Sequence, residues 1–313
     1  IAAAKLDLPD TIAFDGEDPT FGNFPVDIDQ AADAGYCEAV VPTIVPPDVS
    51  DNCDTAPALT YVRSDNPAAD LNDPYPSGTT TVTWKVEDSC GNFTEQVQTV
   101  VISSFNEMLA TVELSQKLVT PVTRCISFAA YYGCGDEEYA FVNADFVFDG
   151  IPHIGVRDVS DPILLPCGYN YTCLMAQDLF HTLSRTSDVP ADFTIDSGTT
   201  PSRYVAEFTA GTGEVLTGGN LNRDRWVDIV DFGMFVNRWG ETYSSGDTPC
   251  GWSEAPYNAD LNASGIVDLG DFTFIQVNFL QSSDDGCCAG LRGEGEGPLT
   301  ELAVSELAEW DMS

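Results

Sequence analysis

Two matching stretches, forty positions apart, determine the fold of the C-terminal third of the chain. The first is Asn220-Leu-Asn-Arg-Asp-Arg-Trp-Val-Asp-Ile-Val-Asp231, and the second is Asp260-Leu-Asn-Ala-Ser-Gly-Ile-Val-Asp-Leu-Gly-Asp271. In both, oxygen-bearing side chains stand at positions 1, 3, 5, 9 and 12, and an aromatic-rich segment follows. We call these stretches loop 1 (220–231) and loop 2 (260–271).

This spacing predicts one calcium site in each loop. Ca²⁺ takes about six to eight oxygen ligands, and a twelve-residue loop supplies them from positions 1, 3, 5, 7, 9 and 12, the seventh through its carbonyl. The predicted ligands of loop 2 are Asp260, Asn262, Ser264, Ile266, Asp268 and Asp271, and those of loop 1 are Asn220, Asn222, Asp224, Trp226, Asp228 and Asp231. Without a cation, the carboxylates of such tight turns would repel one another.

Loop 1 departs from the calcium-loop pattern at two positions. Asn220 stands where loop 2 has Asp260, so one carboxylate is lost. Arg225 stands where loop 2 has Gly265, which carries a steric cost if the turn needs a positive φ at that position. We therefore expect loop 2 to be the better site.

Asp at position 12 of both loops, with a helix leaving each loop and none entering, resembles the dockerin type I repeat over residues 218–281. The resemblance implies a small α-helical calcium module. In cellulosomal dockerins, positions 10 and 11 are often Ser or Thr and help to select the cohesin partner. Here they are Ile229-Val230 and Leu269-Gly270, so the usual cohesin partner is not expected.

The segment from 24 to 103 has an all-β pattern, in which short runs rich in Val, Thr and aromatic residues alternate with turns. Four of its motifs resemble the hyalin repeat (HYR) domain: Ala34-Gly-Tyr-Cys-Glu-Ala-Val-Val41, Ser50-Asp-Asn-Cys53, Tyr75-Pro-Ser-Gly-Thr-Thr-Thr-Val-Thr-Trp84 and Asp88-Ser-Cys-Gly-Asn92. The resemblance implies an immunoglobulin-like sandwich that serves in extracellular adhesion or as a spacer. It also implies a Cys53–Cys90 bridge, and it leaves Cys37 over.

Residues 107–217 have the pattern of a second β domain. The predicted strands lie in 110–114, 125–132, 139–148, 151–156, 192–195 and 204–208, and 168–183 is either a strand with one helical turn or a strand and a loop. Four cysteines in this segment allow two internal bridges, whose pairing the spacing does not decide. The segment is similar to those that precede calcium repeats in secreted planctomycete-like bacterial proteins.

Composition limits the partners and the compartment. Fifty acidic residues stand against 12 basic ones, giving a net charge of −38 that disfavours nucleic acid and anionic membranes. No apolar run reaches the roughly 18 residues of a membrane span, so no membrane insertion is expected. Ten cysteines, with none in a CxxC pair, favour disulfides in an oxidising compartment. We therefore expect a secreted or cell-surface protein.

Catalytic motifs do not emerge from the sequence. It has no GxSxG, P-loop or HExxH pattern, and we expect His153 and His181 to be ordinary polar or packed residues. The triplets that begin at Asn92, Asn170 and Asn262 are candidate glycan acceptors.

Five segments follow from these patterns. They are a leader strand or linker (1–23), a HYR/immunoglobulin-like β-sandwich (24–104), a second β-sandwich (105–217), a dockerin-like calcium module (218–290) and a flexible tail with a short helix (291–313). The fold class is therefore mainly β, with two tandem sandwiches and a small α module.

The favoured function is that of a non-enzymatic, calcium-stabilised structural or adhesive protein that self-associates into a surface assembly or filament. The main alternative is the non-catalytic binding and anchoring part of a secreted carbohydrate-active enzyme. A hydrolase with its site in 107–217 is a third hypothesis.

Overall fold

A computed structural model describes residues 15–115, 118–134, 139–188, 192–252, 258–284 and 286–287. These residues contain sixteen strands and two helices, which confirms the predicted mainly β fold. Among them, no helix is long and apolar enough to cross a membrane. The chain divides into two compact units: unit 1 comprises Ile1–Ala31 and Glu38–Ser103, and unit 2 comprises Ala32–Cys37 and Ser104–Ser313.

Unit 1 is built around a long antiparallel pair of strands. Its strands are β1 (Thr20–Gly22), β2 (Ile28–Ala32), β3 (Glu38–Ala39), β4 (Asp48–Ser50), β5 (Ala58–Arg63), β6 (Tyr75–Pro76), β7 (Gly78–Glu87) and the first part of β8 (Phe93–Leu114). Strand β7 lies between β5 and β8 and alternates in burial, with Val82, Trp84 and Val86 facing inward. This period of two is the one expected of a strand with one buried face.

Unit 2 contains two sheets. One has the order β10-β9-β13-β14, and in the other β16 pairs with β15 and with β8, which also pairs with β11 and β12. Their bounds are β9 (Val122–Tyr131), β10 (Tyr139–Phe148), β11 (His153–Arg157), β12 (Ile163–Pro166), β13 (Cys173–Asp178), β14 (Arg185–Asp188), β15 (Phe193–Asp196) and β16 (Arg203–Phe208). The segment 168–183 therefore contains a strand followed by a loop, the second of the two predicted alternatives.

One apolar core joins the two sheets of unit 2. Phe128 of β9 has its ring centroid 5.9 Å from that of Phe146 on β10 and 6.2 Å from that of Phe208 on β16. The same core includes buried residues of the segment that holds loops 1 and 2 and the two helices (residues 218–287, the loop–helix segment), among them Leu221, Val267 and Ile275. The described residues of this segment therefore pack into the sandwich instead of forming a core of their own.

The joint between the sandwich and loop 1 is part of this core. Leu216 is buried, and its carbonyl accepts a hydrogen bond of 3.0 Å from the backbone N–H of Ser115. Thr217 and Gly219 likewise bond through their backbones to Leu183 and His181. The Gly/Thr-rich composition of 211–219 therefore does not produce a free linker.

The disulfides correct the pairing expected from sequence. Cys37 pairs with Cys167, so it is not left over. Cys125 pairs with Cys250, and Cys173 pairs with Cys287. These bridges therefore do not close within the second β domain but tie it to the loop–helix segment. Cys134 is also disulfide-bonded.

The expected Cys53–Cys90 bridge is wrong, because both cysteines are free and exposed. The bridge was implied by the HYR resemblance, through the two loops that carry these thiols. In those loops, backbone N–H groups of both cysteines donate to the carboxylates of Asp51 and Asp88. Carboxylate turns, instead of a covalent bond, therefore fix the two loop conformations.

Three other expectations compare with the structure as follows. The predicted strand at 139–148 coincides with β10. Asn92 donates to Asp88 at 2.7 Å, so its amide is engaged in the fold and is a poor glycan acceptor. Most of the leader and the helix expected in the tail lie outside the described residues.

Candidate metal centre

Each loop runs directly into a helix whose cap is made by two of the predicted ligands. Helix α1 (Ile229–Asn237) begins after Asp228, and α2 (Leu269–Asn278) begins after Asp268. In each case the N-cap carboxylate accepts an N–H from the first turn, and the Asp at position 12 accepts the N–H of the cap. This reciprocal capping box explains why the helices start there.

The position-12 aspartates also hold the beginning of each loop. Oδ1 of Asp271 accepts from the N–H of Asn262 at 2.9 Å, and Oδ1 of Asp231 accepts from Leu221 at 2.7 Å and Asn222 at 3.2 Å. Both aspartates are buried, with no exposed surface. The first and last ligand positions of each loop are thus brought to the same inner end.

The inner part of loop 2 is organised by Asp260. Its two carboxylate oxygens accept from the N–H groups of Ser264 at 2.9 Å and Gly265 at 2.7 Å. Oδ1 of Asn262 accepts from Ser264 at 2.8 Å. Gly265 has φ +85°, a conformation that glycine adopts without strain. Asp260 and Asn262, at predicted ligand positions 1 and 3, therefore both contact Ser264 at position 5.

Loop 1 differs at its first position. Nδ2 of Asn220 donates to the carbonyls of Asp224 at 2.7 Å and Thr182 at 3.4 Å, which fixes the orientation of the amide. The opposite atom, Oδ1, is buried and has no hydrogen-bond partner. A buried acceptor without a donor is costly, and a cation satisfies it. This orphaned oxygen at a predicted ligand position fits a bound Ca²⁺.

The steric cost expected at Arg225 does not arise. Among the described non-glycine residues of the two loops, positive φ occurs at position 4, at Arg223 (64°) and Ala263 (61°). Arg225 is not among the described residues with positive φ, so loop 1 turns without the glycine that loop 2 uses at position 6. The departure at Arg225 therefore changes the path of the turn without forcing Arg225 into a left-handed conformation.

Burial shifts the acid strength of the position-12 side chains. Desolvation raises the pKa of Asp271 to about 6, against the N–H donors that favour its charged form. Desolvation also raises the pKa of Asp231. Since burial disfavours an unpaired charge, both side chains would be stabilised by a nearby cation.

The outer end of each loop is open. Asp224 and Trp226 in loop 1, and Ser264 and Ile266 in loop 2, are exposed. Positions 5 and 7 therefore face solvent while positions 1 and 12 are buried. This arrangement gives an ion access from one side.

Carboxylates alone do not form a tight cluster in either loop. Among the described residues, two groups of three His, Cys, Asp or Glu have ligand atoms within 4.8 Å of one another, and neither lies in the loops. One contains the disulfide-bonded Cys125 and Cys250 and cannot bind a metal through sulfur. The other is Asp15, Asp51 and Asp88 of unit 1, which the sequence did not single out. In the loops, amide, hydroxyl and carbonyl oxygens must complete the ligand set.

A buried polar cluster beneath the loops also escaped sequence analysis. Arg124, Asp178 and His181 are all buried, and Nδ1 of His181 lies 2.9 Å from Oδ2 of Asp178. His181 was expected to be an ordinary packed residue. The one available signal was Arg124, a charged residue beside the apolar run of β9, since arginine is almost never buried without partners.

No protein-family model and no curated protein matches the chain. Among solved structures, it is similar to the Bacteroides ovatus mixed-linkage glucan utilization locus protein SGBP-B in complex with a mixed-linkage heptasaccharide. The match has 10% sequence identity and a TM-score of 0.19 and covers 62% of this chain and 71% of that chain. A TM-score of this size supports no conclusion about shared fold or function.

The raised pKa of Asp271 predicts how the calcium-free protein responds to pH. The folded state holds this proton up to about pH 6, whereas the unfolded state releases it near 3.8. Stability should therefore fall as pH rises from about 4 to about 6, by about 3 kcal/mol at about 1.4 kcal/mol per pKa unit. Asp271→Asn should flatten this fall in chemical unfolding at a series of pH values.

The comparison between variants removes other titrating groups. Desolvation also raises the pKa of Glu214, to about 7, but Glu214 is present in both proteins. Asp161→Asn, at an exposed carboxylate, is the matched control and should keep the slope of the wild type. Equal slopes in wild type and Asp271→Asn would contradict the assignment.

Proposed function

We propose that the chain is a non-enzymatic extracellular structural protein in which loops 1 and 2 bind Ca²⁺ and thereby lock residues 218–284 onto the sandwich of unit 2. One observation carries the proposal. The side chains at the first and last ligand positions are buried in unit 2, with Asn220 1% exposed and Asp231, Asp260 and Asp271 0% exposed. Three of these four are carboxylates.

The donor set matches the chemistry of Ca²⁺. The predicted ligands are carboxylate, amide, hydroxyl and backbone carbonyl oxygens, which hard divalent cations prefer. Burying several carboxylates without a compensating charge costs free energy or forces them to take up protons. A bound Ca²⁺ supplies that charge, and it also satisfies the orphaned oxygen of Asn220.

A structural role agrees better with the packing than a sensor role does. A calcium sensor needs helices that can move to expose a new surface. Here Phe235 of α1 and Ile275 of α2 are buried in the core that also holds Phe128 of the sandwich. Two disulfides, Cys125–Cys250 and Cys173–Cys287, add covalent links between the same parts. The two helices are therefore fixed in place.

The compartment follows from the same features. Disulfides persist in oxidising surroundings, and three of them join described residues. Calcium modules outside the cell work at about 10⁻⁴–10⁻³ M Ca²⁺, where loops with an imperfect ligand set are still filled. These observations support a secreted or cell-surface location.

The buried cluster of Arg124, Asp178 and His181 supports a non-enzymatic function. Its His181–Asp178 pair has the composition of a catalytic acid–base pair. Burial and Arg124 lower the pKa of His181, so its imidazole is neutral. All three side chains are nearly inaccessible to solvent, so a substrate cannot reach them. Their contacts are those of a structural network.

The finer part of the proposal is that such units join into a surface assembly or filament. Its support is a set of large apolar side chains exposed around α1 and α2, of which Ile229 is 65% and Leu269 is 68% exposed. Exposed apolar surface on a soluble protein marks contact sites. The alternative, an anchoring part of a carbohydrate-active enzyme, predicts glycan binding instead.

Calcium should stabilise unit 2 against heat. At a Ca²⁺ concentration about 100 times Kd, one site adds about 2.7 kcal/mol, and a domain of this size gains about 2–4 °C per kcal/mol. We therefore expect Tm to rise by about 5–10 °C or more over a chelated sample, measured by differential scanning calorimetry.

Matched variants separate specific from general effects of Ca²⁺. Asp231→Asn and Asp271→Asn should each reduce the calcium-dependent rise in Tm, while Asp161→Asn, at an exposed carboxylate, should keep it. If wild-type Tm is the same with calcium and with chelator, the proposed function is wrong.

Assembly is tested separately by sedimentation velocity at high protein concentration with calcium present. The proposal predicts species larger than a monomer, which Ile229→Ser with Leu269→Ser should reduce without lowering Tm. A wild-type monomer that binds strongly on a glycan array would favour the enzyme-anchoring alternative.

A further inference from the structure

Three buried polar side chains of unit 2 form a chain of contacts under the loops. Arg124 lies on β9, Asp178 ends β13, and His181 follows it in the next turn. Nη1 of Arg124 lies 2.8 Å from Nδ1 and 2.9 Å from Nε2 of His181, and Nδ1 lies 2.9 Å from Oδ2 of Asp178. The carboxylate of Asp178 can only accept and Arg124 can only donate, so Nδ1–H donates to Asp178 and Nε2 is the ring nitrogen that accepts from Arg124. The neutral imidazole therefore has a fixed orientation.

One end of this chain holds the start of loop 1. The backbone carbonyl of His181 accepts from the N–H of Gly219 at 2.8 Å, and the carbonyl of Thr182 accepts from Nδ2 of Asn220 at 3.4 Å. Asn220 is the predicted first ligand of loop 1. The orientation of its orphaned Oδ1 thus depends on where the turn after Asp178 lies.

The other end holds loop 2. Nη2 of Arg124 donates to the carbonyl of Leu261 at 3.4 Å, between the predicted ligands Asp260 and Asn262. Nη1 also donates to Oγ1 of Thr248 at 3.2 Å. A small cavity of about 10 Å³ is lined by all three cluster residues, by Leu261 of loop 2 and by Gly218, which lies two residues before loop 1. The cluster therefore faces both loops at once.

We propose that Arg124, His181 and Asp178 are positioning residues that couple the two calcium sites, so that calcium in loop 2 raises the affinity of loop 1. Calcium in loop 2 fixes the Leu261 carbonyl and, through Arg124 and His181, orders the start of loop 1. This inference rests on the proposed function. Two sites that order a shared element bind cooperatively, and the coupling is reciprocal.

A second route between the loops competes with this one. Val227 at position 8 of loop 1 exchanges backbone hydrogen bonds with Leu280 and Gln281 after α2, and Val267 does the same with Gly240 and Glu241 after α1. Coupling could pass through these bonds without the cluster. The test must therefore measure coupling with the cluster intact and with it altered.

Terbium luminescence can report loop 1 alone. Tb³⁺ replaces Ca²⁺ at oxygen sites, and a tryptophan at position 7 lies close enough to excite it. Loop 1 has Trp226 at this position, whereas loop 2 has Ile266. Loss of the emission in Trp226→Phe assigns the signal. The apparent Tb³⁺ Kd is then measured in the full-length chain.

The experiment is a double-mutant cycle between loop 2 and the cluster. Asp271→Asn removes the last carboxylate of loop 2 and should weaken Tb³⁺ binding at loop 1 by about fivefold or more. Arg124→Lys keeps the positive charge but loses the planar fork that reaches His181 and Leu261 together. In the Arg124→Lys background, Asp271→Asn should have less than half of its effect on log Kd.

Controls distinguish positioning from general destabilisation. Asp178→Asn, which keeps the size of the side chain but loses the charge that orients His181, should reduce the coupling in the same way. Arg157→Lys, at a partly exposed pair with Asp161, should leave it unchanged. A merely structural role would lower Tm without reducing the coupling, and that result would overturn the inference.

The possible failures are distinct. An undiminished effect of Asp271→Asn in both the Arg124→Lys and Asp178→Asn backgrounds would assign the coupling to the bonds of Val227 and Val267 and overturn this inference alone. An Asp271→Asn variant with the loop 1 affinity of the wild type would do the same, because it shows no coupling. The absence of Trp226-sensitised emission and of any calcium effect on Tm would overturn the proposed function and this inference with it.

Discussion

Burial of the inner ends of loops 1 and 2 is the constraint on which unit 2 depends. Asp231, Asp260 and Asp271 lie in a region where an unpaired charge is costly, next to apolar residues of the sandwich. Their N–H donors reduce that cost, but the raised pKa values of Asp231 and Asp271 show that burial outweighs them. The divalent cation that we propose would resolve the conflict, since it would supply both charge and ligand bonds. The loops are therefore part of the core, and their chemistry is part of the stability of the unit.

The rest of unit 2 is arranged so that this core stays closed. Strand β9 is buried along nearly its whole length. Ile126 and Phe128 lie in the core that also holds the second sheet and the loop–helix segment, and Ala129 and Tyr131 pack against Cys173 and Cys287. The two disulfides of that segment attach to β9 and β13, the strands beneath the loops. The disulfides, the apolar packing and the predicted metal ligands thus all lie where the loop–helix segment meets the sandwich of unit 2.

Local patterns allowed much of this to be predicted from sequence. Residue types that favour strands identified β10, and the spacing of oxygen-bearing residues located both loops and the helices that follow them. These features depend on residues close in the chain. The calcium ligand set itself remains a prediction, as does the resemblance to the dockerin and HYR families.

Long-range partners were beyond the reach of sequence. Cys125 finds Cys250 across 125 positions, and Arg124 reaches the Leu261 carbonyl across a similar distance. Neither contact has a local signature. Cys125, Cys167 and Cys173 all pair outside 125–173, so the two bridges that the sequence allowed within that segment do not form. The expected Cys53–Cys90 bridge was also wrong. The contact of His181 with Arg124 of β9 likewise joins residues far apart in the chain and has no local signature. These groups are adjacent only in the folded chain, so their spacing in the sequence does not reveal the contacts between them.

Calcium stoichiometry in equilibrium dialysis tests the central claim most directly. The account predicts that the wild-type chain binds two Ca²⁺ ions that are lost when Asp231 and Asp271 are both replaced by Asn. If the wild type and this double variant bind the same number of ions, the loops are not calcium sites and the account is contradicted.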